Sequence, residues 1–268
     1  IVWLNHNLCH AYYAYYGSPI REEPALVFTL DAGGGEYNAT INKVKDGEVE
    51  RVHGTDDSSL AHMYRYVTLL LGMIPNEHEY KVMGMAPYAR DEISKEPYEI
   101  FSEIQYIDGL DWEFDNKPPD NYFYFKDALE GCRFDGIAAG LQRYAEDLVT
   151  DWVQNAVEEF GISRVMFSGG VAMNIKINQR LHELDVIDDL FVCGSGGDES
   201  LAIGACYRAY HRDQETESSG DETPDPESAI KPLGPMYLGP DVSDEGEQLI
   251  KEYSEDTDHR VIRNVTAE

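Results

Sequence analysis

Short apolar runs closed by glycines give way to one long helical stripe, and then to strands and helices in alternation. Ala25 to Asp31 (ALVFTLD) is a compact apolar run ending on an aspartate, which predicts a buried strand followed by a tight turn at Gly33-Gly34-Gly35. Tyr37 to Lys45 and Glu48 to His53 alternate apolar and polar positions, and Asp46-Gly47 between them predicts a hairpin. Ser58-Ser59 is a candidate cap for a helix over Leu60 to Gly72. Ile137, Leu141, Tyr144, Leu148 and Trp152 keep helical spacing, so Ile137 to Phe160 reads as a helix that Gly161 ends.

Strand and helix then alternate: Arg164 to Phe167, a Ser168-Gly169-Gly170 turn, a helix over Val171 to Leu184, a strand over Leu190 to Cys193, a glycine turn, and a helix over Glu199 to His211. That order predicts an α/β layered fold. His6 to Tyr16 reads as a short tyrosine-rich helix. Glu77 to Tyr88 is less regular, and residues 91 to 130 read as a weakly periodic insertion. The predicted organisation is one α/β domain over 1–212, an acidic linker over 213–232 and the beginning of a second domain over 233–268.

Charge changes the picture next. The chain has 51 acidic and 21 basic residues, a formal net charge of -30. So few cations disfavour a nucleic-acid partner, since phosphate contacts need Lys and Arg. The acid is spread along the chain, and its self-repulsion would be screened over roughly 3 Å at molar salt. A halophile's cytoplasmic protein is the expected setting. Four cysteines without a CxxC pair fit a reducing compartment, and no apolar stretch is long enough to span a bilayer.

The candidate chemistry opens on His6 and His10, which share a helix face at i and i+4 and so can grip one metal ion. Asp31 at a strand end and Asp198 at a strand-to-helix turn face the crevice where α/β proteins bind ligands. Together the four form a mixed nitrogen and oxygen set suited to Fe(II), Mn(II) or Zn(II). Taken one at a time, each aspartate reads equally well as a helix cap or turn former. Backbone amides in Gly33-Gly34-Gly35, Ser168-Gly169-Gly170 and Gly196-Gly197 are candidates for cradling phosphate, which points to a bound nucleotide, although no P-loop or GxGxxG is present. Lys81 either meets phosphate or pairs with Glu77 or Glu79. A histidine pair so near Ile1, a first residue other than Met, is expected of a domain cut ahead of residue 1.

These runs resemble a known family. His6-Asn7-Leu8-Cys9-His10-Ala11 is similar to the HHLxHA run of carbamoyltransferases of the NodU/TobZ type, with Asn7 in place of the second histidine. Glu79 to Tyr88 (EYKVMGMAPY) resembles their EYKVMGLAPYG run, with Ala89 where the glycine falls. Phe167 to Asn174 resembles the AGGVALN turn, and Gly197 to Ala205 the GDxGxAxGAA helix start.

The resemblance implies an actin-like ATPase (ribonuclease H-like) domain, here partial, with a YrdC-like domain beginning near residue 233. It implies a mononuclear metal, usually Fe(II), on His6, His10, Asp198 and Asp31, with Mg possible as a second ion. ATP and carbamoyl-adenylate would lie against the glycine turns and Asn174. His6, His10 and Lys81 become the candidate catalytic residues. The carbamoyl group would pass from carbamoyl phosphate, through carbamoyl-adenylate, to a hydroxyl or amine of a sugar-like acceptor. His62, His78 and Asp57 are candidate bases. A sugar kinase or bare ATPase, and a tRNA threonylcarbamoyl transferase, are the competing readings. Oligomeric state stays open, a homodimer included.

Overall fold

The computed structural model describes residues 3–217 and 230–234, with side chains described through Asp213 and again from Ile230. The chain divides into Ile1–Leu233 and Gly234–Glu268. Beyond Gly234 the second unit lies outside the described residues, so the expected YrdC-like beginning does too.

The first unit is built on a five-stranded mixed sheet. β1 (Ala25–Leu30), β2 (Ala39–Lys45) and β3 (Glu48–Thr55) form an antiparallel meander, while β6 (Arg164–Ser168) and β7 (Asp189–Val192) run parallel to β1, in the order β3-β2-β1-β6-β7. Tyr37, predicted to open this strand, falls outside β2, and its ring carries the Arg51 guanidinium instead.

β1 is buried at every position, as a central strand covered on both faces must be. Its period of two sends Leu26, Phe28 and Leu30 into one core and Ala25 and Val27 into the other. The first core is closed by α2 (Leu60–Leu70) and by α6 (Phe134–Phe160), whose stripe of Leu141, Leu148 and Trp152 meets the sheet as predicted. α6 starts one turn earlier than predicted and ends on left-handed Gly161. The second core is closed by α1 (His6–Tyr16), and α8 (Leu201–Glu217) packs on α1.

α1 is buried almost all round because it is clamped between the sheet and α8. The clamp is tight at Gly204, where an added Cβ would run into the Cys9 carbonyl oxygen. Gly204→Ala is therefore expected to destabilise the domain by about 1–3 kcal/mol through overpacking. The measurement is the urea midpoint at unchanged slope, and an unmoved midpoint would contradict this helix contact.

Four expectations need correction. Ser59 occupies the position before α2, but its hydroxyl donates to Gln105 Oε1 at 3.0 Å instead of capping the helix. Residues 91 to 130 are ordered and belong to the first core: α4 (Asp91–Ser102), the β4 (Gln105–Asp108) and β5 (Asp111–Phe114) hairpin and α5 (Asn121–Ala128) bury Phe101, Trp112 and Phe125. The helix predicted over Val171 to Leu184 is split at Asn174, between a 3-10 turn over Gly170–Met173 and α7 (Ile175–His182), which Asn174 caps. Glu79 to Tyr88 folds as α3 (Glu79–Met85) followed by a 3-10 turn.

α8 runs to Glu217, inside the segment read as a linker. Ile230 and Leu233 pack with α1 and β1, and the Leu233 amide donates to the Gly17 carbonyl at 3.2 Å. No helix among the described residues is long and apolar enough to cross a membrane.

Candidate metal centre

β1, β6 and β7 are adjacent and parallel, and each ends at the same edge in a glycine turn. The turns interlock. Gly169 holds φ +94°, and a Cβ there would strike the Leu30 carbonyl. A Cβ on Gly196 would come within 2.6 Å of the Gly169 carbonyl oxygen. Ligands of α/β folds gather at this edge.

The edge brings His6, His10, Asp31 and Asp198 together. One ligand atom from each lies within 4.8 Å of all the others. Asp31 Oδ2 is 3.3 Å from His10 Nε2 and 3.8 Å from His6 Nε2. Asp198 Oδ1 is 3.5 Å from His10 Nε2 and 3.6 Å from His6 Nε2. α1 supplies both rings from one face, Asp31 directly follows β1, and the 3-10 turn after β7 presents Asp198.

Three features of this set suit a metal ion. His6 Nε2 and His10 Nε2 are buried and have no hydrogen-bond partner. Donors placed about 2.0–2.2 Å from a tetrahedral ion sit about 3.3–3.6 Å from each other, close to the four histidine–aspartate separations of 3.3 to 3.8 Å. Two imidazoles and two carboxylates also match the preference of Fe(II), Mn(II) and Zn(II). The electrostatics agree. Burial pushes the Asp31 carboxyl up, but His10, His6 and the Ala32 amide more than offset this and hold it well below the usual carboxylate range. Contact with Asp31 raises the His6 pKa, against burial and with help from Asp198. Both shifts follow from the mutual contacts of the histidines and carboxylates in the cluster.

The supporting residues were less visible in the sequence. Ser168 Oγ lies 3.4 Å from His10 Nδ1, which leaves Nε2 facing the cluster. The Gly170 amide donates to Asp31 Oδ2 at 3.2 Å, and the Ala32 amide to Asp31 Oδ1 at 2.6 Å. Gly34 lies so close over the His6 ring that a side chain would displace it. Ser168, Gly170 and Gly34, read from sequence as phosphate contacts, brace the histidines and Asp31. Gly33, Gly35 and Gly197 are at the same edge, and the first two are exposed.

The other candidates fall elsewhere. Asn174 is committed to structure: its Oδ1 accepts from the Lys176 and Ile177 amides, and its Nδ2 donates to Tyr64 and Gln142. Lys81 makes no ion pair with Glu77 or Glu79 among the described residues, and its ammonium lies 5.7 Å from the Tyr80 ring centre. It takes no part in the cluster of His6, His10, Asp31 and Asp198. His78 Nδ1 accepts the Ile74 amide at 3.1 Å, whereas Asp57 and His62 line one cleft.

The family model described as carbamoyltransferase N-terminus matches residues 1–207. An uncharacterized protein of Methanocaldococcus jannaschii is 31% identical over 222 residues, 75% of this chain and 36% of its own length. Nodulation protein NolO of Bradyrhizobium diazoefficiens is 29% identical over 248 residues, 90% of this chain and 42% of its own. A solved structure, the activator of 2-hydroxyisocaproyl-CoA dehydratase from Clostridium difficile with bound ADPNP, is 15% identical with a TM-score of 0.48, covering 82% of this chain and 71% of that one. The chain spans about two fifths of the length of these curated relatives. The α/β class expected from the sequence is the class observed, a five-stranded mixed sheet with helices closing a core on each face. With the family model matching residues 1–207, most of its length, the chain belongs to the carbamoyltransferase family.

Proposed function

We propose that this chain supplies the transfer site of a carbamoyltransferase, passing a carbamoyl group from carbamoyl phosphate, by way of carbamoyl-adenylate, to a hydroxyl or amine of a small acceptor. The four-residue cluster with its two buried, unpartnered imidazole nitrogens carries this reading. His6, His10, Asp31 and Asp198 would hold a divalent cation, with Fe(II) the first choice. Such an ion, when bound, polarises the carbamoyl–phosphate linkage and offsets charge on the leaving phosphate.

The chain's own residues do the rest. Ser168 fixes the His10 ring, and the Gly170 amide orients Asp31. Amides of the glycine turns after β1, β6 and β7 are placed to hold phosphate oxygens, including those of ATP or carbamoyl-adenylate, with Mg as their companion ion. A cytoplasm rich in salt is the setting the charge favours.

The test uses the full-length protein with ATP and carbamoyl phosphate labelled at the carbamoyl carbon. Label should reach an added acceptor such as a sugar alcohol or amine, and His10→Ala should lower its transfer at least about 100-fold, beyond what loss of a supporting contact costs. Transfer unchanged in His10→Ala would overturn the reading. Hydrolysis or phosphoryl transfer needing only Mg would point to an ATPase or sugar kinase.

A further inference from the structure

The chain departs from the HHLxHA run at Asn7, between the two histidines of the cluster. Asn7 directly follows His6 on α1 and is 2% exposed. Its Nδ2 and Oδ1 are both buried, and neither has a hydrogen-bond partner among the described residues. As a structural element this is a poor choice. Asparagine forms helix less readily than alanine, and each buried polar atom left unpaired weakens the fold. Asparagines that do hold this fold together use both ends of the side chain. Asn38 donates to the Asp56 and Ser58 carbonyls and accepts the Ser58 amide. Asn174 donates to Tyr64 and Gln142 and accepts the Lys176 and Ile177 amides.

The turn after β1 covers Asn7 and His6 together. A Cβ on Gly35 would lie 3.6 Å from Asn7 Oδ1 and 3.5 Å from His6 Cβ. That cover is slight. Gly33, Gly34 and Gly35 are exposed, and among the described residues no hydrogen bond holds their amides or carbonyls. Displacing the turn opens the Asn7 amide and the His6 side of the cluster at once.

The chemistry of an open amide selects its ligand. Its edge presents one donor and one acceptor side by side. A phosphate group offers only acceptors and would leave Oδ1 unpaired. A single hydroxyl cannot span both atoms. A planar group with NH2 and C=O on one carbon pairs with both at once. We propose that Asn7 recognises the carbamoyl group itself, Oδ1 accepting from its NH2 and Nδ2 donating to its oxygen, and so selects carbamoyl over acetyl donors. That the ligand's amide belongs to a carbamoyl donor rests on the carbamoyl-transfer reading, whereas a pocket for a primary amide beside His6 does not.

The experiment is a binding titration of the chain loaded with Zn(II), which is diamagnetic, and nitrogen-labelled at asparagine. Phosphonoacetamide, a stable analogue of carbamoyl phosphate, is compared with acetonylphosphonate, in which a methyl group replaces the NH2. Affinities come from calorimetry, and the Asn7 side-chain amide signal is identified by its absence from Asn7→Leu. Phosphonoacetamide should shift that signal saturably and bind at least about 5-fold more tightly than acetonylphosphonate, the worth of one hydrogen bond. Asn7→Leu should bind the two equally. Equal affinities in the wild type, an unmoved Asn7 signal, or a preference that survives in Asn7→Leu would each overturn the proposal. The wild-type comparison of affinities stands whether or not Asn7→Leu folds. Amide preference in a protein that fails the transfer assay would keep the pocket and remove the transfer reading. Carbamoyl transfer without that preference would keep the reading and refute the role of Asn7.

Discussion

Replacing His10 with alanine is expected to abolish stoichiometric divalent metal binding. His10 is fully buried, contributes one of two nitrogen donors and lies nearest to Asp31, at 3.3 Å. Without it, His6, Asp31 and Asp198 remain, and the Asp198 side chain is 65% exposed. Supporting residues around metal sites are typically worth about 10–100-fold in affinity, so loss of a ligand should exceed that range while Ser168→Ala falls within it. Metal analysis after gel filtration checks this, with circular dichroism to show that the helix persists. One ion per chain retained by folded His10→Ala would refute the assignment.

The second large effect is on stability. Trp152 is fully buried and makes edge contacts with Phe28 at 5.1 Å and Trp112 at 5.4 Å between ring centres. Trp152→Ala should cost about 3–5 kcal/mol, from lost burial and a cavity beneath β1. The indole nitrogen has no hydrogen-bond partner, so Trp152→Phe forfeits no bond and should cost roughly 1–2 kcal/mol. Urea unfolding of both variants tests this. Equal losses would mean that the N–H matters and that the edge-on ring packing does not account for the site.

Much of this was legible because its signals are local. The Ala25 to Asp31 run, the Asp46-Gly47 hairpin and the α6 stripe each combine a matching period with a proper stop. The gathering of the four side chains was legible for a similar reason: i, i+4 spacing brings two histidines together, and strand ends bring in the aspartates. What stayed hidden depends on contacts far apart in sequence. Residues 91 to 130 bury a few large rings against α2 and α6, and Pro97 within α4 disguises the helix. α1 shows no apolar stripe because it is buried between two layers. The break at Asn174 follows from its side chain capping α7 while bonding Tyr64 and Gln142, partners over 30 residues away. Lys81 stood out because lysines are scarce, yet its conspicuous place in the chain implies nothing about where its ammonium lies.

The central claim is a single metal ion held by His6, His10, Asp31 and Asp198. Anomalous diffraction from crystals grown with Fe(II), recorded above and below the iron edge, tests it most directly. One peak bounded by His6 Nε2, His10 Nε2 and oxygens of Asp31 and Asp198 is the predicted result. Peaks only at acidic surface residues, with the four side chains free of metal, would contradict it.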